Sequence, residues 1–162
     1  LISDASNHYS PSSEVRHRGI EWNFFGEPVK GTRILGGVML LDAKYTKSQG
    51  GQIDGNRVPA TSRWSSVLSF EHDLASVPGL TLTTRFTYNS DAYIDDANDF
   101  RVSPWTTWDL GACYKFNAGQ VPMTVRFDVY NVTNRNYWRA LINNNVFLGK
   151  ERTFMLSLSA DF

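Results

Sequence analysis

Apolar and polar residues alternate along this chain with a period of two, and turn residues break the alternation into separate runs. Side chains on a strand point to opposite faces in turn, so each run predicts a β-strand with one apolar and one polar face. In the first run, about 14–25, Ile20, Trp22 and Phe24 oppose His17, Gly19, Glu21 and Asn23. A second run, 31–46, carries apolar residues at both parities around Val38–Leu41, which leaves its faces ambiguous. The third, 60–74, sets Trp64, Leu68 and Phe70 against Arg63, Ser65, Ser69, Glu71 and Asp73. In the fourth, 79–93, Leu80, Leu82, Phe86 and Tyr88 oppose Thr81, Thr83, Arg85, Thr87 and Asn89. The fifth, 102–117, sets Trp108, Leu110, Ala112, Tyr114 and Phe116 against Thr107, Asp109, Gly111, Cys113 and Lys115. The sixth, 121–132, sets Met123, Val125, Phe127 and Val129 against Thr124, Arg126, Asp128 and Tyr130. The last run ends the chain, with Phe154, Leu156, Leu158, Ala160 and Phe162 on one face. No helical period competes with this pattern.

The connections alternate as well. Short segments rich in Gly or Pro (26–31, 75–79, 117–120) read as tight turns, and long polar segments (47–60, 91–100, 133–147) read as loops. Antiparallel strands in sequence would place all the turns at one end and all the loops at the other. Runs such as 31–46 and 102–117 also exceed the usual strand length of about 5–6 residues. Aromatics gather near strand ends: Trp22, Phe24, Trp64, Tyr88, Trp105, Tyr114, Phe116 and Phe162. Long strands, short turns against long loops, and aromatic belts together point to a transmembrane barrel, with apolar faces to lipid and charged faces to a wet lumen.

Composition narrows the field. The 162 residues hold 16 Lys+Arg and 16 Asp+Glu, so no net positive field speaks for a nucleic-acid partner. A single cysteine excludes a disulfide framework. Apolar runs stay far below the roughly 18–20 residues of a transmembrane helix. Residues 1–14 have no basic start leading into an apolar run, so no secretory signal is visible.

Five stretches in order carry a family resemblance: EVRHRGIEWNFFGEP (14–28), GGVMLLDAKYTKS (36–48), SPWTTWDLGACYKF (103–116), VYNVTNRNYW (129–138) and GKERTFMLSLSADF (149–162). Arg18, Gly19, Ile20 and Glu21 form one motif, and Trp105, Asp109, Leu110, Gly111 and Ala112 a second. Asn131, Thr133, Asn134, Tyr137 and Trp138 form a third. In these the chain resembles the C-terminal part of the TonB-dependent outer-membrane receptors, siderophore-receptor branch. The resemblance implies an all-β fold: an antiparallel transmembrane β-barrel segment, about seven long strands of a 22-stranded barrel. Residues 1–162 are then the C-terminal portion of that barrel, without the plug domain and the upstream strands. Leu1 is expected to be a cut inside an outer loop and Phe162 a true end.

The resemblance further implies a receptor and transporter for ferric siderophores in the outer membrane of a Gram-negative bacterium, energised by the TonB system through the plug. It implies no enzyme activity and no cofactor, the ferric siderophore being cargo. Expected partners are outer-membrane lipid, the missing plug and strands, and the barrel-assembly machinery. That machinery would read Phe154, Leu156, Leu158 and Phe162 as an assembly signal.

Flat, often anionic chelates call for aromatic and arginine side chains. Tyr93, Trp105, Tyr137, Trp138 and Arg139 are therefore the ligand-binding candidates in the loops, set against a plain role for Tyr137 and Trp138 in anchoring a loop turn. Lumen-facing Arg85, Asp109, Arg126 and Asp128 are expected to form cross-strand ion pairs or plug contacts rather than a ligand path. The acidic loop Asp91, Asp95, Asp96 and Asp99 lacks EF-hand spacing and reads as solvated. His8, His17 and His72 have no metal-site spacing, and Cys113 has no nearby His for catalysis, so no metal and no catalytic group is assigned. The sequon at Asn131–Thr133 reads as part of the family motif. Two other architectures fit the alternation: a complete small barrel with an eighth strand in residues 1–13, structural or adhesive in role, and a soluble carbohydrate-binding β-sandwich.

Overall fold

The computed structural model describes residues 2–3, 9–10 and 13–161. Seven long strands form one sheet: β1 (Ser13–Val29), β2 (Thr32–Ser48), β3 (Trp64–Asp73), β4 (Leu80–Asn89), β5 (Trp105–Ala118), β6 (Val121–Tyr130) and β7 (Thr153–Ala160). Every strand pairs antiparallel with its neighbours in sequence, so the order in space is the order in the chain. The two-residue turn 119–120 has positive φ at its first position, and Gly119, at φ +68°, supplies it between paired Ala118 and Val121. Three two-stranded ribbons lie outside the sheet: Ile2–Ser3 with Tyr9–Ser10, Ala92–Tyr93 with Arg101–Val102, and Trp138–Leu141 with Asn145–Leu148.

The alternation reads directly onto this sheet. Phe24, Gly36, Leu68, Phe86 and Trp108 follow one another across it on one face. Glu71, Thr83, Gly111, Asp128 and Met155 do so on the other. The ambiguous second run resolves through its partners. Val38 and Leu40 stand opposite Trp22 and Ile20 on the apolar face, which sends Met39 and Leu41 to the polar one. Gly36 leaves room for the Phe24 ring to lie across the strand.

Three details depart from expectation. The segment 26–31 is a turn only at Lys30–Gly31; β1 continues to Val29, with Glu27 and Pro28 set against Arg33 in a bulge. A bulge is where a strand tolerates a proline, which has no N–H to donate. The polar face carries Phe25, Leu35 and Val67, all exposed. Trp105 is not part of the aromatic belt: it stands opposite Asn89 on the polar face. On the apolar face remain Trp64 with Tyr88 toward the long loops (5.9 Å, edge to face), Trp22 with Phe24 (4.9 Å), and stacked Tyr114 and Phe116 toward the short turns (5.6 Å).

Packing sets this sheet apart from a self-contained domain. The buried apolar residues are small: Ala43 and Cys113 in the sheet, Ala92 and Val102 in the ribbon beside it. On the apolar face Ile20 and Leu156 are each 72 % exposed and Trp22 63 %. A water-soluble domain covers such a face with a second layer. The sandwich reading therefore fails, because the seven long strands make one sheet, not two packed ones. The small closed barrel is also not formed among the described residues: β1 and β7 do not pair, and Ile2–Ser3 pairs only with Tyr9–Ser10. No helix among the described residues is long and apolar enough to cross a membrane, which leaves crossing by strands open.

Candidate functional site

The long-loop end of the sheet folds back on itself in two clusters. The first joins loops 49–63 and 90–104 through Arg57. Its guanidinium bonds the Asp91 carboxylate (3.0 Å) and the carbonyls of Asp91 (3.1 Å) and Thr61 (3.3 Å). It also lies 5.1 Å over the Tyr93 ring. Asn98 closes the junction, accepting the Arg57 amide at 2.7 Å and donating to the Arg57 carbonyl at 2.9 Å. Tyr93 is thus a half-buried wall under an arginine.

The acidic loop is built in rather than loosely solvated. Asp91 pairs with Arg57 and lies 3.8 Å from Arg101; Asp96 accepts the Tyr45 hydroxyl at 2.6 Å. Buried Asp95 accepts the amides of Phe100 (2.9 Å) and Asp99 (3.1 Å). The Phe100 amide, aided by that of Asp99, holds the Asp95 carboxyl below the usual carboxylate range.

The second cluster turns on Asn131, which is 2 % exposed and left-handed at φ +50°. Its amide donates to the carbonyls of Arg135 (2.9 Å) and Lys150 (3.0 Å), and its side-chain oxygen accepts the Arg135 amide (3.0 Å). Its own N–H donates to Asp109 at 2.8 Å. One side chain therefore ties the end of β6 to the return into β7. Beyond it, the Tyr137 ring lies against Gly149, where a Cβ would collide with it, and the Gly149 amide donates to the Tyr137 carbonyl at 2.7 Å.

That anchoring presents an aromatic column. Tyr137 and Trp105 stack at 4.4 Å, and the Arg139 guanidinium sits 5.9 Å over Trp105 and 5.1 Å over Phe147. Arg139 and Trp105 also line a cavity of about 90 Å³ with Ala60, Ser62, Asn89 and Ala140. Three of the five loop candidates, Trp105, Tyr137 and Arg139, thus come together. Trp138 is 54 % exposed and outside the column, and Tyr93 belongs to the first cluster.

On the polar face Arg85 and Asp109 stand directly opposite each other and pair at 2.8 Å. Arg126 and Asp128 share their cleft, with Glu71 and Tyr130, but have no ion-pair partner within 4.0 Å among the described residues. Arg33 makes the other strong pairing of this face, forked onto Asp73 (2.7 and 2.8 Å) and reaching Glu71 (3.0 Å). Sequence reasoning passed over Arg33, Arg57 and Phe147, and took Asn131 only as part of a motif. Arg33 and Glu71 occupy facing positions once the β2–β3 register is known; for Arg57 no sequence signal existed.

A family model, TonB dependent receptor-like, beta-barrel, matches residues 2–132. The chain belongs to this family. Over its whole length it is 36 % identical to the ferrichrome receptor FcuA of Yersinia enterocolitica, of which it covers 22 %. Its fold superposes on BauA, the ferric preacinetobactin receptor of Acinetobacter baumannii, with a TM-score of 0.87 and 39 % identity, over 93 % of this chain and 23 % of BauA. The ferric citrate transporter FecA shares the fold at 17 % identity and TM-score 0.80, over 99 % of this chain and 26 % of FecA. The chain thus spans between a fifth and about a quarter of the length of these relatives. TonB-dependent receptors are outer-membrane proteins of Gram-negative bacteria and work as receptors and transporters. For this sheet, membership explains the exposed apolar face as a wall of a larger barrel.

Proposed function

We propose that this segment is the C-terminal wall and outer loops of an outer-membrane receptor that imports a ferric siderophore, a transport rather than a catalytic role. The TonB system would act through the plug of the full receptor. Short turns then lie in the periplasm and long loops outside. Supporting this reading, the identity to FcuA runs over 100 % of the chain. The observation that carries the ligand assignment is the column of Tyr137, Trp105, Arg139 and Phe147 at the loop end. Stacked rings offer a flat face to a chelate, and an exposed arginine offers charge to an anionic one. Tyr93 and Trp138 flank this column as secondary contacts. Arg85, Asp109, Arg126 and Asp128 serve the lumen wall, with Arg126 and Asp128 free to meet the plug.

Phe154, Leu156 and Leu158 lie on the lipid side of β7 and fit a strand read by the barrel-assembly machinery; Phe162, assigned to the same signal, lies outside the described residues.

Uptake of radiolabelled iron by cells relying on the full-length receptor tests the ligand assignment, using ferric hydroxamate and ferric catecholate chelates. Arg139→Ala and Trp105→Ala should each raise the half-saturating chelate concentration several-fold, roughly the 1 kcal/mol of one cation–π or stacking contact. Receptor abundance in the outer membrane should not change. Unchanged uptake in the double variant would remove these loops from ligand binding.

A further inference from the structure

A small cavity opens where the outer segments meet. Asn89 and Trp105 face each other at the end of the β4–β5 ladder, on the polar face. Ala60 and Ser62 reach the cavity from loop 49–63, and Arg139 and Ala140 from the ribbon of the last loop. It shares Trp105 and Arg139 with the aromatic column. Its volume is about 90 Å³. A cavity that binds benzene measures roughly 150 Å³, and a water's share of the liquid is about 30 Å³. The cavity therefore turns away a catechol ring and admits a group of about three heavy atoms.

The lining is rich in unused donors. Arg139 lies over two ring faces and pairs with no carboxylate within 4.0 Å among the described residues. Asn89 accepts the Ser65 hydroxyl at 2.7 Å on its side-chain oxygen, which leaves its NH2 group without an acceptor among the described residues. The Ser62 hydroxyl is already spent on the Ser90 carbonyl at 3.1 Å. No acidic side chain among the described residues lines the cavity, and Asp91 nearby is engaged by Arg57. Unused donors beside a cation call for an acceptor that carries negative charge. The wall is also strained: Ala60 is left-handed at φ +59°, held there by its N–H on the Tyr93 carbonyl at 2.8 Å. Strain of this kind gathers at ligand clamps.

We propose that this cavity seats a free carboxylate of the ferric chelate, so that the receptor selects chelates carrying such an arm. The metal-bound part of the chelate lies on the column, and the arm turns into the cavity. One carboxylate oxygen accepts from Arg139 and the other from Asn89. Small side chains at Ala60, Ala92 and Ala140 keep the space open. The inference rests on the ligand assignment of the preceding subsection and adds to it the chemical class of the ligand.

The test measures binding to the purified full-length receptor by isothermal titration. The probes are a ferric trihydroxamate and a ferric tricatecholate, each made with one free carboxylate arm and again with that arm as its methyl ester. On the frame the receptor accepts, wild type should bind the acid roughly tenfold more tightly than the ester, as expected of a charge-assisted hydrogen-bonded pair. Asn89→Asp keeps an oxygen for Ser65 and puts a negative charge in the cavity, so the preference for the acid should vanish or reverse. Ala140→Val narrows the cavity and should bring acid and ester level. Lys30→Gln, at the opposite end of the sheet, should keep the wild-type preference. Equal affinity for acid and ester in wild type overturns the inference without any variant. So does a preference that survives in both Asn89→Asp and Ala140→Val when a heat-dependent gel shift shows folded barrels. If wild type binds neither form of either chelate, the ligand assignment itself fails, and this inference with it.

Discussion

Trp105, the first residue of β5, and Tyr137 in the last loop stack at 4.4 Å, although 31 residues lie between them in the chain. The stack exists because Tyr137 is pinned from behind by Gly149, whose missing side chain is the space the ring fills.

Gly149→Ala should therefore unseat Tyr137 and break the stack without touching either ring. A Cβ there would meet the ring itself, so the ring has to move. In the full-length receptor, Gly149→Ala should weaken chelate uptake about as much as Tyr137→Ala does, and the double variant should add little to either. Additive losses in that cycle would mean the two residues act separately.

Asn131 separates backbone strain from hydrogen bonding. Asn131→Gly keeps the left-handed conformation and loses the side-chain bonds; Asn131→Ala loses both. Both should speed hydrogen exchange at the Arg135 amide, with local stability down by about 2 kcal/mol for the lost buried bonds. Ala should cost roughly 1 kcal/mol more than Gly for the strained φ. Equal exchange in the two variants would assign the whole effect to the amide.

Arg57 holds loops 49–63 and 90–104 together by bonding one carboxylate and two carbonyls at once. A lysine cannot span that set from a single nitrogen. Limited proteolysis of the intact receptor should cut within 90–104 several-fold faster in Arg57→Lys, and faster still in Arg57→Ala. Wild-type cleavage rates in Arg57→Lys would show that charge alone suffices.

Asp95 gives the first loop cluster a pH dependence. Its folded carboxyl is held below the ordinary value, so its contribution is complete above the unfolded value of about 3.9 and is lost as pH falls through the lower folded one. Exchange protection at Phe100 and Asp99 should hold at pH 5 and collapse only below about pH 4. In Asp95→Asn the Asp99 amide should be less protected at every pH. A collapse already at pH 5 would point to another group.

By itself the 162-residue segment has an exposed apolar face and, among the described residues, unpaired edges on β1 and β7. Such edges recruit other strands. The isolated segment should pellet from plain buffer and need detergent to stay dispersed. A soluble monomer would contradict its role as a barrel wall.

Much of the fold was legible in the chain because strand parity is a local property. Ile20, Trp22 and Phe24 declare one face and Glu21 and Asn23 the other, whatever pairs with them. Parity alone failed where both faces were apolar, at Val38–Leu41, and register with β1 and β3 then decided. It also misplaced Trp105: the indole is on the polar face, stacked on Tyr137, while belt residues lie on the other.

Loops have no such period, and there the sequence supplied residue types without partners. It showed an acidic loop but not that Asp95 binds two amides, and it showed Arg139 but not the rings beneath it. Arg57 and Asp91, 34 positions apart, meet because β3 and β4 carry the chain down the sheet and back. Alternation, turn chemistry and strand length, all short-range, were determined by the sequence alone. Which loop side chains meet depended on how the strands bring their ends together, and only the tertiary structure decides that.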